Sequence, residues 1–139
     1  PGQLVMHTAA RFGYSVLVPA LAAGAIPLAV HPAMSFTGTS MDLVRLRDAY
    51  CAVTAPTPVL PIGQALVVEM GAEPLVIDEA DRAAYAEAVS IATSFSSAIV
   101  GQAVGVLADL GVDDAARVLG PLIRSSVENA LAAALPPAG

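Results

Sequence analysis

Leu4-Val5-Met6-His7-Thr8 is the stretch from which the fold is read. It is a short apolar run without alternation, ending in a titratable and a hydroxyl residue, as in a strand covered on both faces whose end meets a site. Working outward, three further runs share its character. The strands predicted are Gln3 to His7, Ile26 to Val30, Ala49 to Thr54 and Glu73 to Ile77, each rich in Val, Ile, Leu or Ala. Between them lie helix-like segments, Tyr14 to Ala23, Met41 to Leu46 and Pro58 to Met70, with Gly24 and Gly71 placed to end the first and last. Thr39 or Ser40 can cap the second, and Thr57 the third. Short strands alternating with helices predict an α/β unit with a parallel sheet and crossover helices over residues 1–77.

From Asp78 onward the pattern is helical. Asp78 reads as an N-cap, Glu79 and Asp81 complement the helix dipole, and the first helix runs to about Leu110 before Gly111. Its apolar stripe is Tyr85, Ala88, Ala92, Phe95, Ile99, Ala103, Val106 and Leu110. A parallel stripe, Ser90, Ser94, Ser97, Gly101, Gly105 and Ala108, is uniformly small. Small residues in a row let another helix backbone approach, so this helix is expected to be buried on nearly every side. The last helix begins near Asp113 and carries Leu119, Leu122, Ile123, Val127, Leu131 and Leu135, with a kink or restart expected at Gly120-Pro121. Residues 78–139 therefore form a helical domain of two long helices, expected to be a dimer core.

Composition narrows the partners. Twelve acidic residues face six basic ones, all arginine, for a net charge of −6. With no basic stripe, nucleic acid and anionic membrane surfaces are not expected partners. Apolar content of 56% against 13% charge predicts that a partner covers much of the surface, here a second copy in a homodimer. Ala88 to Ala108 carries no charge over 21 residues, roughly 31 Å as a helix. Its six polar side chains, Ser90, Thr93, Ser94, Ser96, Ser97 and Gln102, weigh against a membrane span. Cys51, the single cysteine, reads as a buried strand thiol. Nothing resembling a signal peptide precedes the first strand, so the cytoplasm is the expected compartment.

Neither G-x-G-x-x-G nor G-x-x-x-x-G-K-[ST] occurs among the scattered eleven glycines, so no phosphate cradle is expected in this polypeptide. No cluster has metal-ligand spacing, and no G-x-S-x-G is present. What remains is two histidines at strand ends. His31-Pro32 follows the second strand, where α/β sheets place ligands, and His7-Thr8 repeats that placement after the first. The two imidazoles line one crevice if their strands are neighbours; alternatively, each satisfies backbone groups at its strand end. Ser90 and Ser94 either pack or face a ligand. Arg124, Glu128 and Asn129 form the polar cluster of the last helix, the first two at the spacing of a solvated pair.

In this order the motifs resemble a family of Rossmann-like proteins whose C-terminal helical half is catalogued as a domain of unknown function. These are relatives of deazaflavin-dependent NADP reductases, pyrroline-5-carboxylate reductases and 6-phosphogluconate dehydrogenases. The residues carrying the resemblance are His7-Thr8, His31-Pro32 with Phe36, Asp81 and Tyr85, Pro121-Leu122-Ile123-Arg124, and Glu128-Asn129. The resemblance implies an α/β fold in which this chain is the C-terminal half of a Rossmann-like sheet followed by an all-α dimerisation domain. It also implies a glycine loop for NADP upstream of Pro1, so the sequence reads as a piece of a longer chain and is expected to bind no cofactor and be inactive by itself. The implied activity is reduction of a small oxo or hydroxy acid or an imine, a ketopantoate-like substrate being one candidate. His31 and Ser94 are the implied catalytic positions, His7 and Thr8 lie near the cofactor, and Ser90 and Asn129 bind substrate. Two departures stand out: Ala86 where the family commonly has His, and Ser94 where it commonly has Asn. They favour a second reading, a degenerate dimerisation or ligand-sensing module.

Overall fold

A computed structural model describes residues 1–137. Four strands, β1 (Leu4–His7), β2 (Ile26–Pro32), β3 (Tyr50–Thr54) and β4 (Glu73–Val76), form one sheet in the order β1-β2-β3-β4. The helices are α1 (Val18–Ala22), α2 (Met41–Leu46), α3 (Leu60–Glu69), α4 (Arg82–Asp109) and α5 (Ala115–Ala134), with 3-10 turns leading into α1, α3 and α4. Gly71 and Gly111 end α3 and α4 with φ of 86° and 90°, a region where a Cβ is costly.

The sheet is mixed rather than wholly parallel. β1 pairs β2 in parallel and β3 pairs β4 in parallel, but β2 and β3 run antiparallel, with Ala29 opposite Thr54 and Pro32 opposite Cys51. The link from Ala33 to Ala49 carries the six-residue α2 and is nearly as long as the links that join the two parallel pairs, so link length does not set the direction. His7 and His31 nevertheless end neighbouring parallel strands, His7 lying beside Ala29, two residues before His31.

The central strands hold the core. Leu28, Val30, Cys51 and Val53 pack with Val67 of α3 and Ala72, while the outer strands β1 and β4 are largely exposed. Each fully buried Leu or Val contributes about 1.5–3 kcal/mol of transfer free energy. α3 sits close because Gly63 faces the sheet: a Cβ there would lie 2.7 Å from both Leu28 Cδ1 and Val53 Cγ1. Of the two candidates before α2, Thr39 accepts from the Met41 N–H at 3.3 Å and Ser40 makes no cap; none forms at Asp78, and Thr57 falls inside its 3-10 turn. At the turn before α1 the caps come from afar, the Glu79 carboxylate accepting from the Tyr14 and Ser15 N–H groups at 2.9 and 3.1 Å.

The chain forms two compact units, Pro1–Ile91 and Ala92 onward. The first turns of α4 thus belong with the sheet. In the second unit, α5 continues through Pro121, so the helix does not restart there. Ile99, Ala103, Val106 and Leu107 of α4 and Leu119 of α5 line an open apolar groove. Within the single chain the long helix is not buried on most sides: Phe95, Ile99 and Val106 are about 60% exposed, and a Cβ on Gly101 or Gly105 would meet nothing within 4 Å. The segment Glu79–Asp109 is long and apolar enough to cross a membrane, with mean hydropathy 1.6 in its most apolar window.

Candidate functional site

The polar centre of the first unit is Arg82, which is 1% exposed. Its Nε donates to the Ala10 carbonyl at 3.0 Å, and its terminal nitrogens donate to the carbonyls of Ala9 (2.7 Å) and Ala52 (3.3 Å) and to Thr54 Oγ1 (3.1 Å). Thr54 passes the chain on, donating to the Ile77 carbonyl at 2.6 Å. No carboxylate pairs with the guanidinium among the described residues. Carbonyl dipoles and the Tyr85 ring, 5.5 Å from the guanidinium carbon, take that place. Burial pulls the guanidinium below its ordinary value, while Tyr85 and Glu79 act in the opposite direction; arginine stays charged in any case.

Tyr85 stands one turn on from Arg82, on the same helix face. Its hydroxyl lies 2.7 Å from His31 Nδ1, and the two rings meet edge to face at 72°, 5.5 Å between centroids. Burial, and secondarily Arg82, lower the His31 pKa below 6.5. Burial raises that of Tyr85 despite the opposing pull of Arg82. Both groups are therefore neutral near pH 7. With the imidazole proton on Nε2, the Tyr85 hydroxyl donates to Nδ1, a tautomer assigned from this geometry. His31 Nε2 has no partner among the described residues and is not sealed off, since every buried side-chain nitrogen or oxygen there is partnered. The pair can thus present a neutral N–H to a ligand and replace its proton from the phenol behind it.

His7 follows the other course open to it. Nδ1 accepts from the Ala9 N–H at 3.1 Å, which leaves Nε2 to donate to the Gly13 carbonyl at 2.7 Å. Both nitrogens serve the loop after β1, and Arg82 holds the same loop through Ala9 and Ala10. Thr8 is exposed beside it. Of the five glycines with positive φ, Gly2 and Gly24 meet, the Gly2 N–H donating to the Gly24 carbonyl at 2.8 Å, while Gly38, Gly71 and Gly111 lie on separate turns.

Beside the loop is an open cleft of about 470 Å³, lined by Arg11 and by Ala83, Ala86, Glu87, Ser90 and Ile91 of α4. The helical residues recur at three- and four-residue steps, so one face of the helix makes the wall. Ser90 is thereby placed on a cleft, as is Ala86. Ser94 and Asn129 lie in the second unit, exposed on α4 and α5. His31 and Ser94, the paired catalytic candidates, fall in different units. Arg82 escaped sequence reading because a lone arginine in a first helical turn reads as solvated; its three-residue spacing from Tyr85 was the available signal.

Fold and site together define an α/β protein with a helical C-terminal part and a histidine–tyrosine pair where the sheet meets its longest helix. The chain belongs to the family described as Domain of unknown function (DUF2520), whose model matches residues 49–138. Among solved structures it is similar to protein TM1727 from Thermotoga maritima, at 19% identity and a TM-score of 0.76. The match covers 91% of this chain and 48% of that one, so the chain spans about half the length of that neighbour. At this identity the likeness concerns the fold. No match is found among curated proteins.

Proposed function

We propose that this chain is the substrate-side and dimer-forming portion of an NADP-dependent oxidoreductase acting in the cytoplasm on a small oxo or hydroxy acid or an imine. The observation that carries the proposal is the His31–Tyr85 hydrogen bond of 2.7 Å at the end of β2, with the outer imidazole nitrogen open. In this reading His31 Nε2–H gives its proton to the substrate's developing alkoxide or amide nitrogen, and Tyr85 returns one to Nδ1. The tyrosinate so formed lies beside the Arg82 cation, which favours it. The hydride belongs to a cofactor whose phosphates are held outside the described residues. A homodimer through the exposed apolar faces of α4 and α5 completes the proposal.

The test is NADPH oxidation with a branched oxo acid, using a polypeptide that also carries the phosphate loop. His31→Gln is expected to lower kcat about 100-fold or more, the ordinary contribution of a general acid. A rate unaffected by that change removes the reading. The rival is a ligand-sensing module without turnover, supported by Ala86 on the cleft wall where the related family commonly has His. It predicts ligand binding with no NADPH consumption.

A further inference from the structure

We propose that the cleft between the loop after β1 and the outer face of α4 binds a small α-amino or α-imino acid, Arg11 taking the carboxylate and Glu87 the protonated nitrogen. The cleft's volume, about 470 Å³, lies within the range of small-molecule sites, about 300–1,000 Å³. Its lining has the required division of labour: one cation, one anion, one hydroxyl at Ser90, and an apolar wall of Ala83, Ala86 and Ile91 for a short side chain. Arg11 and Glu87 make no ion pair with each other among the described residues.

The backbone that carries the cation is held by the fold. Its neighbours Ala9 and Ala10 are both gripped through their carbonyls by Arg82, and His7 pins the loop at Ala9 and Gly13. This fixes where the Arg11 side chain leaves the backbone, while the exposed guanidinium itself is ordered by the ligand. Glu87 discriminates. An oxo acid carries only negative charge and leaves that carboxylate facing a ligand with nothing to offer it, whereas an ammonium or iminium satisfies it. The assignment does not rest on the oxidoreductase proposal: Ala83, Ala86, Glu87 and Ser90 lie on the face of α4 turned away from Tyr85, and His31 does not line the cleft. Binding itself requires no cofactor.

The experiment measures binding of three probes of one skeleton, L-norvaline, 2-oxopentanoate and n-butylamine, to the 139-residue chain by NMR titration. Saturable binding of norvaline, with shifts at Ala83, Ala86 and Ile91 and weaker binding of the other two, is expected. Arg11→Gln and Glu87→Gln each weaken norvaline about tenfold, the scale of one charge-assisted hydrogen bond, and Glu87→Gln narrows its advantage over 2-oxopentanoate. Both side chains are exposed and leave the Arg82 bonds intact; Ala86→Leu, which fills the cleft, is the second probe and abolishes binding. The proposal is overturned if 2-oxopentanoate binds the parent chain as tightly as norvaline, if no probe saturates, or if the shifts lie away from α4. Norvaline binding with no NADPH consumption by the longer protein leaves this site standing and removes the oxidoreductase reading; the converse result removes the site alone.

Discussion

At the scale of residues, Arg82 and His31 carry the most consequence. Arg82→Met removes four hydrogen bonds and leaves the Ala52 carbonyl and Thr54 hydroxyl in a buried setting without their donor. A loss of about 3 kcal/mol or more in urea unfolding is expected; a loss below about 0.5 kcal/mol, the scale of a surface substitution, would show that the clasp is incidental. His31 sets a pH dependence whose sign follows from its lowered pKa. Below 6.5 the unfolded chain takes up a proton that the folded chain resists, so stability falls with pH from about 6.5 through the lower folded-state value. In His31→Gln that component vanishes, and the urea midpoint changes less between about pH 7 and pH 5. His31 was legible as a candidate because a strand-end histidine followed by proline is a local pattern. Its partnership with Tyr85 spans 54 residues, and no local pattern contains it. His7 shows the limit differently: the same strand-end placement leads to a ring fully engaged with its own backbone.

At the scale of elements, the four strands were legible nearly to the residue, since runs of Val, Ile, Leu and Ala bounded by Gly, Pro and Asp specify them locally. Strand direction was not. A fully buried strand shows the same apolar run whether its neighbour is parallel or antiparallel, and the link between β2 and β3 is nearly as long as those joining the parallel pairs, so neither signal carries the direction. The seat of α3 on the sheet gives a prediction of its own. Gly63→Ala gains helix propensity of up to about 1 kcal/mol but forces its methyl against Leu28 and Val53, both 0% exposed and unable to withdraw. Overpacking costs about 1–3 kcal/mol, so net destabilisation of about 1 kcal/mol is expected by urea titration. A stabilised variant would mean that α3 lies farther from the sheet. α4 belongs to two settings. Its first turns supply Arg82, Tyr85 and the cleft wall, while Phe95, Ile99, Val106 and Leu110 beyond Ile91 are exposed. A pattern of helical spacing reveals the apolar stripe but not what covers it.

At the scale of the whole molecule, two exposed apolar helices need a cover, and the small stripe from Ser90 to Ala108 suits close approach by another helix. Light scattering is expected to give twice the 13.9 kDa chain mass, and Phe95→Glu, on the exposed face of α4, is expected to yield monomers that keep the sheet unit folded. A monomeric parent chain would contradict the dimer, and co-flotation with lipid vesicles would favour a membrane instead. We propose that these residues hold the substrate side of an oxidoreductase whose cofactor phosphates bind elsewhere. NADPH fluorescence titration of this chain, beside a longer polypeptide carrying a glycine-rich loop, tests it most directly. Saturable micromolar binding by the longer polypeptide and none by this chain is expected; no binding by the longer one, or micromolar binding by this chain alone, overturns the proposal.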